Sequence, residues 1–97
     1  MSTSSFSSGL KNTSSNITSI RSRVNAITLL GDNVNVSTIT LYDTNTGTAT
    51  GNVLARVVAR TSDAQNHVIF TEPVFAQDGI YAQLTGTGGN YIVYYGG

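Results

Sequence analysis

Apolar and polar residues alternate in several short stretches of this chain. Over 53–60, Val53, Ala55, Val57 and Ala59 share one parity, and Leu54, Arg56, Val58 and Arg60 the other. Ile39 and Leu41 are set against Thr38, Thr40 and Tyr42 in the same way. Ile80, Ala82 and Leu84 alternate with Tyr81, Gln83 and Thr85. A period of two puts one set on a buried face and the other toward water, which predicts strands. These runs are rich in Val, Ile, Thr and Tyr and are bounded by Gly, Asn and Asp, as strands and their turns are. Ala, Leu and Arg around 54–60 also suit a helix, but the strict alternation and flanking turns favour a strand.

The remaining runs fit the same scheme. "ITSIRSRVNAITLLG" (17–31) predicts one long or bent strand. Ile20, Val24 and Ala26 share a parity that Ile27 and Leu29 do not, so a bulge, or burial on both faces, is expected near the strand's end. "GDN" at 31–33 predicts a turn and "TNTGTATGN" at 44–52 a loop. "NHVIFTEPVF" (66–75) predicts a strand ending near Pro73, which has no N–H for a ladder. Gly86–Gly89 reads as a hairpin turn joining two neighbouring antiparallel strands, with Gly96-Gly97 a frayed tail behind a last strand that completes the sheet. About seven short strands and no helix predict an all-β chain: a single antiparallel β-sandwich or jelly-roll-like domain.

Residues 1–19 depart from this pattern. They hold eight serines, three threonines and two asparagines, with only Phe6, Leu10 and Ile17 as apolar anchors. Such a stretch buries too little surface to offset its ordering entropy by itself. We therefore divide the chain into an extended Ser/Thr-rich arm (1–16) and a β-sandwich domain (17–97). The arm is expected either to lie along its own domain or to grip an adjacent subunit. It has no apolar core or early cationic cluster of the kind a secretory signal needs, and the chain has no apolar run long enough to span a membrane.

Composition narrows the function classes. Ninety-seven residues suit one domain. Only 10% are Asp, Glu, Lys or Arg, against about 25% in ordinary domains, so Ser, Thr, Asn and Gln must build the surface. Five cations and five anions cancel, and a protein near zero net charge tends to associate. The same balance leaves no global footprint for nucleic acid, and direct nucleic-acid binding is not expected. With no cysteine, disulfide and thiolate chemistry are excluded.

Candidate chemistry is thin. Gly86-Thr87-Gly88-Gly89 lies between strands and lacks the helix N-terminus and lysine of a phosphate loop. His67 is the sole histidine, too little for a zinc or copper site and without an identifiable triad; an edge or interface position suits it better. Asp32, Asp43, Asp63, Glu72 and Asp78 are dispersed. The segment 43–47 lacks the later glutamate of a calcium loop, and Asx turns account for Asp43 and Asn45. Asn12, Asn16 and Asn35 begin Asn-x-Ser/Thr triplets that chance explains in so polar a chain. No catalytic residue, metal ligand or cofactor is assigned, and the chain is not expected to be an enzyme.

Arginine and tyrosine stand out more. Arg21/Arg23 and Arg56/Arg60 form two pairs; on a shared face they would make a cationic patch for salt bridges to a neighbouring subunit. Four of the five tyrosines (Tyr81, Tyr91, Tyr94, Tyr95) fall in the last seventeen residues, Tyr42 being the fifth. Their two parities predict one set in the core and another against a partner, where tyrosine buries area and keeps a polar tip. Interface candidates are therefore Phe6, Leu10, Arg21, Arg23, Arg56, Arg60, Tyr81, Tyr91, Tyr94 and Tyr95.

Residues 37–97 resemble a known family. Ile39-Thr40-Leu41-Tyr42-Asp43, the Gly51–Ala55 turn, "GIYAQLTGTG" at 79–88 and Val93-Tyr94-Tyr95 are similar to small all-β structural proteins of tailed bacteriophages, cyanophages in particular. The resemblance implies a virion component at the capsid surface. Its first form is a decoration (cement) protein that binds the major capsid protein, or another virion protein, and stabilises the head shell as an oligomer, a trimer above others. Its second is a small neck, tail or fibre accessory. A carbohydrate-binding β-sandwich, stacking exposed tyrosines on sugar rings, stays open beside it.

Overall fold

The computed structural model describes residues 6–60 and 65–96. Among these residues there are eight strands and no helix: β1 (Phe6–Ser7), β2 (Ser15–Thr18), β3 (Ser22–Leu30), β4 (Ser37–Asp43), β5 (Asn52–Ala59), β6 (Gln65–Ala76), β7 (Ile80–Gly86) and β8 (Asn90–Gly96). They form two four-stranded antiparallel sheets, ordered β1-β8-β3-β6 and β2-β7-β4-β5. We call these sheet A and sheet B. The sheets share one core, built from Val24, Ile27, Leu29, Ala76, Tyr91 and Val93 of sheet A and Ile39, Leu41, Val57, Ala59, Ile80 and Ala82 of sheet B. This is the alternation of the sequence turned into a sandwich: Ile39, Leu41, Ile80 and Ala82 are completely buried, and the residues between them face outward.

The connectivity departs from a series of hairpins. Only β4 and β5 are both sequential and paired; every other connection crosses from one sheet to the other. The Gly86–Gly89 turn is therefore not a hairpin. It carries the chain from β7 in sheet B to β8 in sheet A. Gly86 (φ 95°) and Gly88 (φ 78°) hold a backbone form that other residues resist. A side chain at Gly88 would enter the carboxylate of Asp32, and one at Gly89 would lie 2.7 Å from Ser37 Oγ, so the glycines let this crossing nest against the β3–β4 connection.

Other boundaries also shift. The stretch 17–31 is two strands in different sheets, β2 and β3, separated by a bend at Ser19–Arg21. The anticipated bulge is present at Asn25, between Val24 and Ala26. It lets Val24, Ile27 and Leu29 all reach the core despite their mismatched parity. A second irregularity, at Leu41/Tyr42, pairs Leu41 with Ala55 and Tyr42 with Val53. Val53 is thereby moved off the inner face and is exposed. β6 runs through Pro73 to Ala76, tolerated because β6 is an edge strand. Gly96 is no frayed end: it is buried opposite Arg23, and its carbonyl accepts the Ser22 hydroxyl at 2.7 Å. Gly97 lies outside the described residues.

The count of about seven strands is exceeded because the arm itself supplies two. β1 adds an edge to sheet A and β2 an edge to sheet B, so a division between residues 16 and 17 cuts through β2. Residues 1–5 of the arm lie outside the described residues. From Phe6 onward it is a strap over its own sandwich, bridged to Tyr91 at Lys11.

Candidate interaction surfaces

Serine and threonine hydroxyls are what make the strap possible. Ser8 N–H donates to the Val93 carbonyl, and Val93 N–H donates to Ser8 Oγ, each at 2.9 Å. Ser14 Oγ accepts from Leu84 N–H at 2.9 Å. Lys11 and Tyr91 exchange both backbone bonds. Tyr91 Oη donates to the Thr13 carbonyl at 2.8 Å and lies 2.9 Å from Ser15 Oγ. Short hydroxyl side chains thus finish ladders that a two-residue and a four-residue strand leave incomplete. Burial pushes the Tyr91 phenol above its ordinary range, and the Ser15 hydrogen bond opposes that rise.

The outer face of sheet A is the more apolar surface. Strand register aligns Ser7, Tyr94, Ala26 and Ile69 in one row across all four strands. Thr28, Ile92 and His67 form the next row. Ile69 is 68% exposed and Phe75 50%. The Asn25 bulge leaves a shallow hollow of about 320 Å³ lined by Asn25, Ala26, His67, Ile69 and Tyr94. His67 Nδ1 is 2.6 Å from Thr28 Oγ1, fixing the ring on this face. At one end the Arg21 guanidinium lies 5.4 Å from the centre of the Phe75 ring, a cation–π contact.

The outer face of sheet B is richer in polar side chains. Tyr42 stands opposite Tyr81 on one side and Val53 on the other. Tyr42 Oη donates to Gln83 Oε1 at 3.2 Å. Thr40 is flanked by Arg56 and Gln83, and Thr38 by Val58 and Thr85.

The loops contribute two anchored carboxylates. Asp32 accepts from Val34 N–H, Asn35 N–H and the Asn35 amide at 2.8–3.0 Å. The backbone donors at Asn35 and Val34 hold its carboxyl below the usual range. Asp43 accepts from Gln77 N–H at 3.1 Å and Asp78 N–H at 2.8 Å. The Asx turn expected at Asp43 is thus replaced by a tie from the end of β4, where the β4–β5 loop begins, to the β6–β7 connection. In that loop Thr44, Thr46, Thr48 and Thr50 link hydroxyl to hydroxyl. Asp63 lies outside the described residues. Among the described residues no group of three or more His, Cys, Asp or Glu side chains is placed to hold a metal, and no helix is long and apolar enough to cross a membrane.

The interface candidates separate into distinct places. Tyr94 lies on the outer face of sheet A and Tyr81 on that of sheet B. Tyr91 is fully buried and spent on the strap, so it is not a surface residue of this chain. Tyr95 packs against the core beside Phe6, their ring centres 5.8 Å apart. Phe6 and Leu10 are each 61% exposed. Arg21 and Arg23 belong to sheet A's side, Arg56 to the outer face of sheet B, and exposed Arg60 follows β5. The two arginine pairs therefore do not share a face. Ile69 and Phe75 were missed as surface residues, and Tyr42, read as facing outward, was not carried into the interface candidates. The parity of Ile69 with His67 was the signal for the first.

Compared with known proteins, this chain matches no family model, no curated protein and no solved structure.

Proposed function

We propose that this protein is a structural component of a tailed-phage virion: a decoration protein that docks on the head shell as an oligomer, with the major capsid protein as its partner. We also read its sandwich as a jelly roll. The pairings β1–β8, β2–β7, β3–β6 and β4–β5 are those of one long antiparallel ribbon folded over, and β3–β8 and β4–β7 close it into two sheets, the jelly-roll arrangement.

The observation that carries the docking reading is the outer face of sheet A. Tyr94, Ala26 and Ile69 form an apolar row beside exposed Phe75, on a chain with few charges to keep it from associating. Aromatic and apolar side chains at the centre of a patch, with Arg21 and Arg23 at its rim, suit a protein interface. The test is sedimentation of the purified protein with phage head shells. Binding should be saturable, and Ile69→Asp with Tyr94→Ser should abolish it without lowering thermal stability. Shells that never bind the wild type would overturn the docking reading; binding indifferent to both substitutions would move it off this face.

The Tyr42–Tyr81 pair on sheet B favours one second reading, a glycan platform, since two tyrosines in register, with Gln83 bonded to Tyr42, match sugar faces and hydroxyls. Glycan-array binding lost on Tyr81→Ala would select it.

A further inference from the structure

The residues at Ser19–Arg21 are at odds with the bend they make. Thr18 is paired with Ile80 in sheet B, whereas Ser22 is paired with Ala76 in sheet A and bonded to the Gly96 carbonyl. Three residues must therefore cross the sandwich. The crossings at β6–β7 and β7–β8 use glycines at positive φ, Gly79 and Gly88, and the β3–β4 crossing uses Asn33 at φ 65°. Ser19-Ile20-Arg21 has no such residue, and Ile20 is β-branched, a residue type that favours extended backbone. Ile20 is also left 72% exposed at the tip of the bend. Left to the preference of Ile20, the chain would run on extended from β2 into β3.

The strap on the far side of this bend is held in a way that another chain can copy. Its bonds go to Leu84, Tyr91 and Val93 and its ladders to β7 and β8, all core elements. It buries little apolar surface itself: Phe6 and Leu10 are mostly exposed, and Ile17 is only partly buried. Segments with few buried apolar contacts open at lower free energy than the rest of a fold.

From these two observations we propose that the β1–β2 strap exchanges between two copies of this chain, Ser19–Arg21 straightening so that β2 and β3 form one continuous strand. Each strap then makes its bonds on the partner's β7 and β8, and the two straightened strands pass each other at Ile20, covering a side chain that the closed monomer leaves in water. Short hinge loops invite such swapping, and this one has no positive-φ residue, its bend carrying the side-chain bond from Asn16 Nδ2 to Ser19 Oγ at 2.7 Å. The inference does not rest on the virion reading, because the partner is a second copy of the same chain.

Chain exchange is tested with two single-cysteine variants, Ser7→Cys and Tyr94→Cys, which register opposite one another in a chain with no native cysteine. The two are unfolded together, refolded at high concentration and oxidised. A covalent heterodimer absent from either variant alone is expected; monomers only would overturn the proposal. Light scattering on the native hinge should show a dimer. Ile20→Ser, harmless to the closed monomer, should weaken that dimer about tenfold or more. Inserting Gly-Ser-Gly after Ser19 should restore the monomer with its strap closed. A dimer that ignores both changes would mean that association does not pass through the hinge.

Discussion

Tyr91 and Thr13, 78 residues apart in sequence, are joined by a hydrogen bond of 2.8 Å from the buried phenol to the strap's carbonyl. The ring sits in the core at zero exposure while its hydroxyl reaches out under the strap, with Ser15 Oγ as a second partner. One side chain thus belongs to both the sandwich and its fastening. Tyr91→Phe keeps the ring and removes the fastening. It should cost about 1 kcal/mol of stability, the net worth of a typical intramolecular hydrogen bond. Urea unfolding measures the cost, and amide exchange should quicken over 13–18 before it does in β3 or β4.

The same phenol makes stability fall at alkaline pH. Burial raises its folded pKa above that of an ordinary tyrosine, so the unfolded chain releases the proton first. The sign follows: this contribution is complete below about pH 10 and is lost as pH rises through the raised folded value. The stability gap between wild type and Tyr91→Phe should therefore narrow when urea midpoints at pH 8 and pH 11 are compared. A gap that widened would show that the folded phenol ionises more readily than the unfolded one.

Asp43 ties two loops at one end of the sandwich through Gln77 and Asp78 N–H. Asp43→Ala leaves both donors without this acceptor and should cost roughly 1.5–3 kcal/mol, the range for hydrogen bonds to a charged group. Asp43→Asn keeps an acceptor oxygen and should recover part of the loss. Chemical denaturation of the three proteins side by side checks the order.

How much of this was legible in the sequence depends on range. Ile39, Leu41, Ile80 and Ala82 were readable as buried because period two is a local property of a strand. The Asn25 bulge was readable for the same reason, since Val24 and Ile27 cannot both face inward on a regular strand. The Gly86–Gly89 crossing was not: positive φ serves a hairpin and an inter-sheet turn equally, and only tertiary pairing separates them. Val53 misled because the irregularity opposite Tyr42 leaves no mark in its own alternation. The strap was hidden for a different reason. A hydrophobic count over 1–19 sees three anchors and misses Ser8, Ser14 and Ser15, whose hydroxyls hold it to β7 and β8. The surface candidates were legible as residue types but not as faces, so Tyr91 and Tyr94 looked alike and a shared face for Arg23 and Arg56 stayed open.

Gly86 gives the sharpest test of the inter-sheet crossing. Its φ of 95° is one that L side chains rarely adopt, and a Cβ there would enter the Val36 carbonyl oxygen and lie 3.0 Å from Ser37 Cα. Both obstacles are backbone, so no rotamer change can relieve them. Conformational strain alone is worth about 1–3 kcal/mol, and the clash adds to it by prising the end of β7 from β4, where Gly86 is paired with Ser37. At Gly47 the same substitution meets a positive φ of 73° and open space. Gly86→Ala should therefore lower stability clearly more than Gly47→Ala, by a margin that reports the close approach rather than the dihedral. Thermal unfolding of the two variants measures that margin. Equal losses would mean that the crossing packs less closely on the β3–β4 connection than this geometry requires.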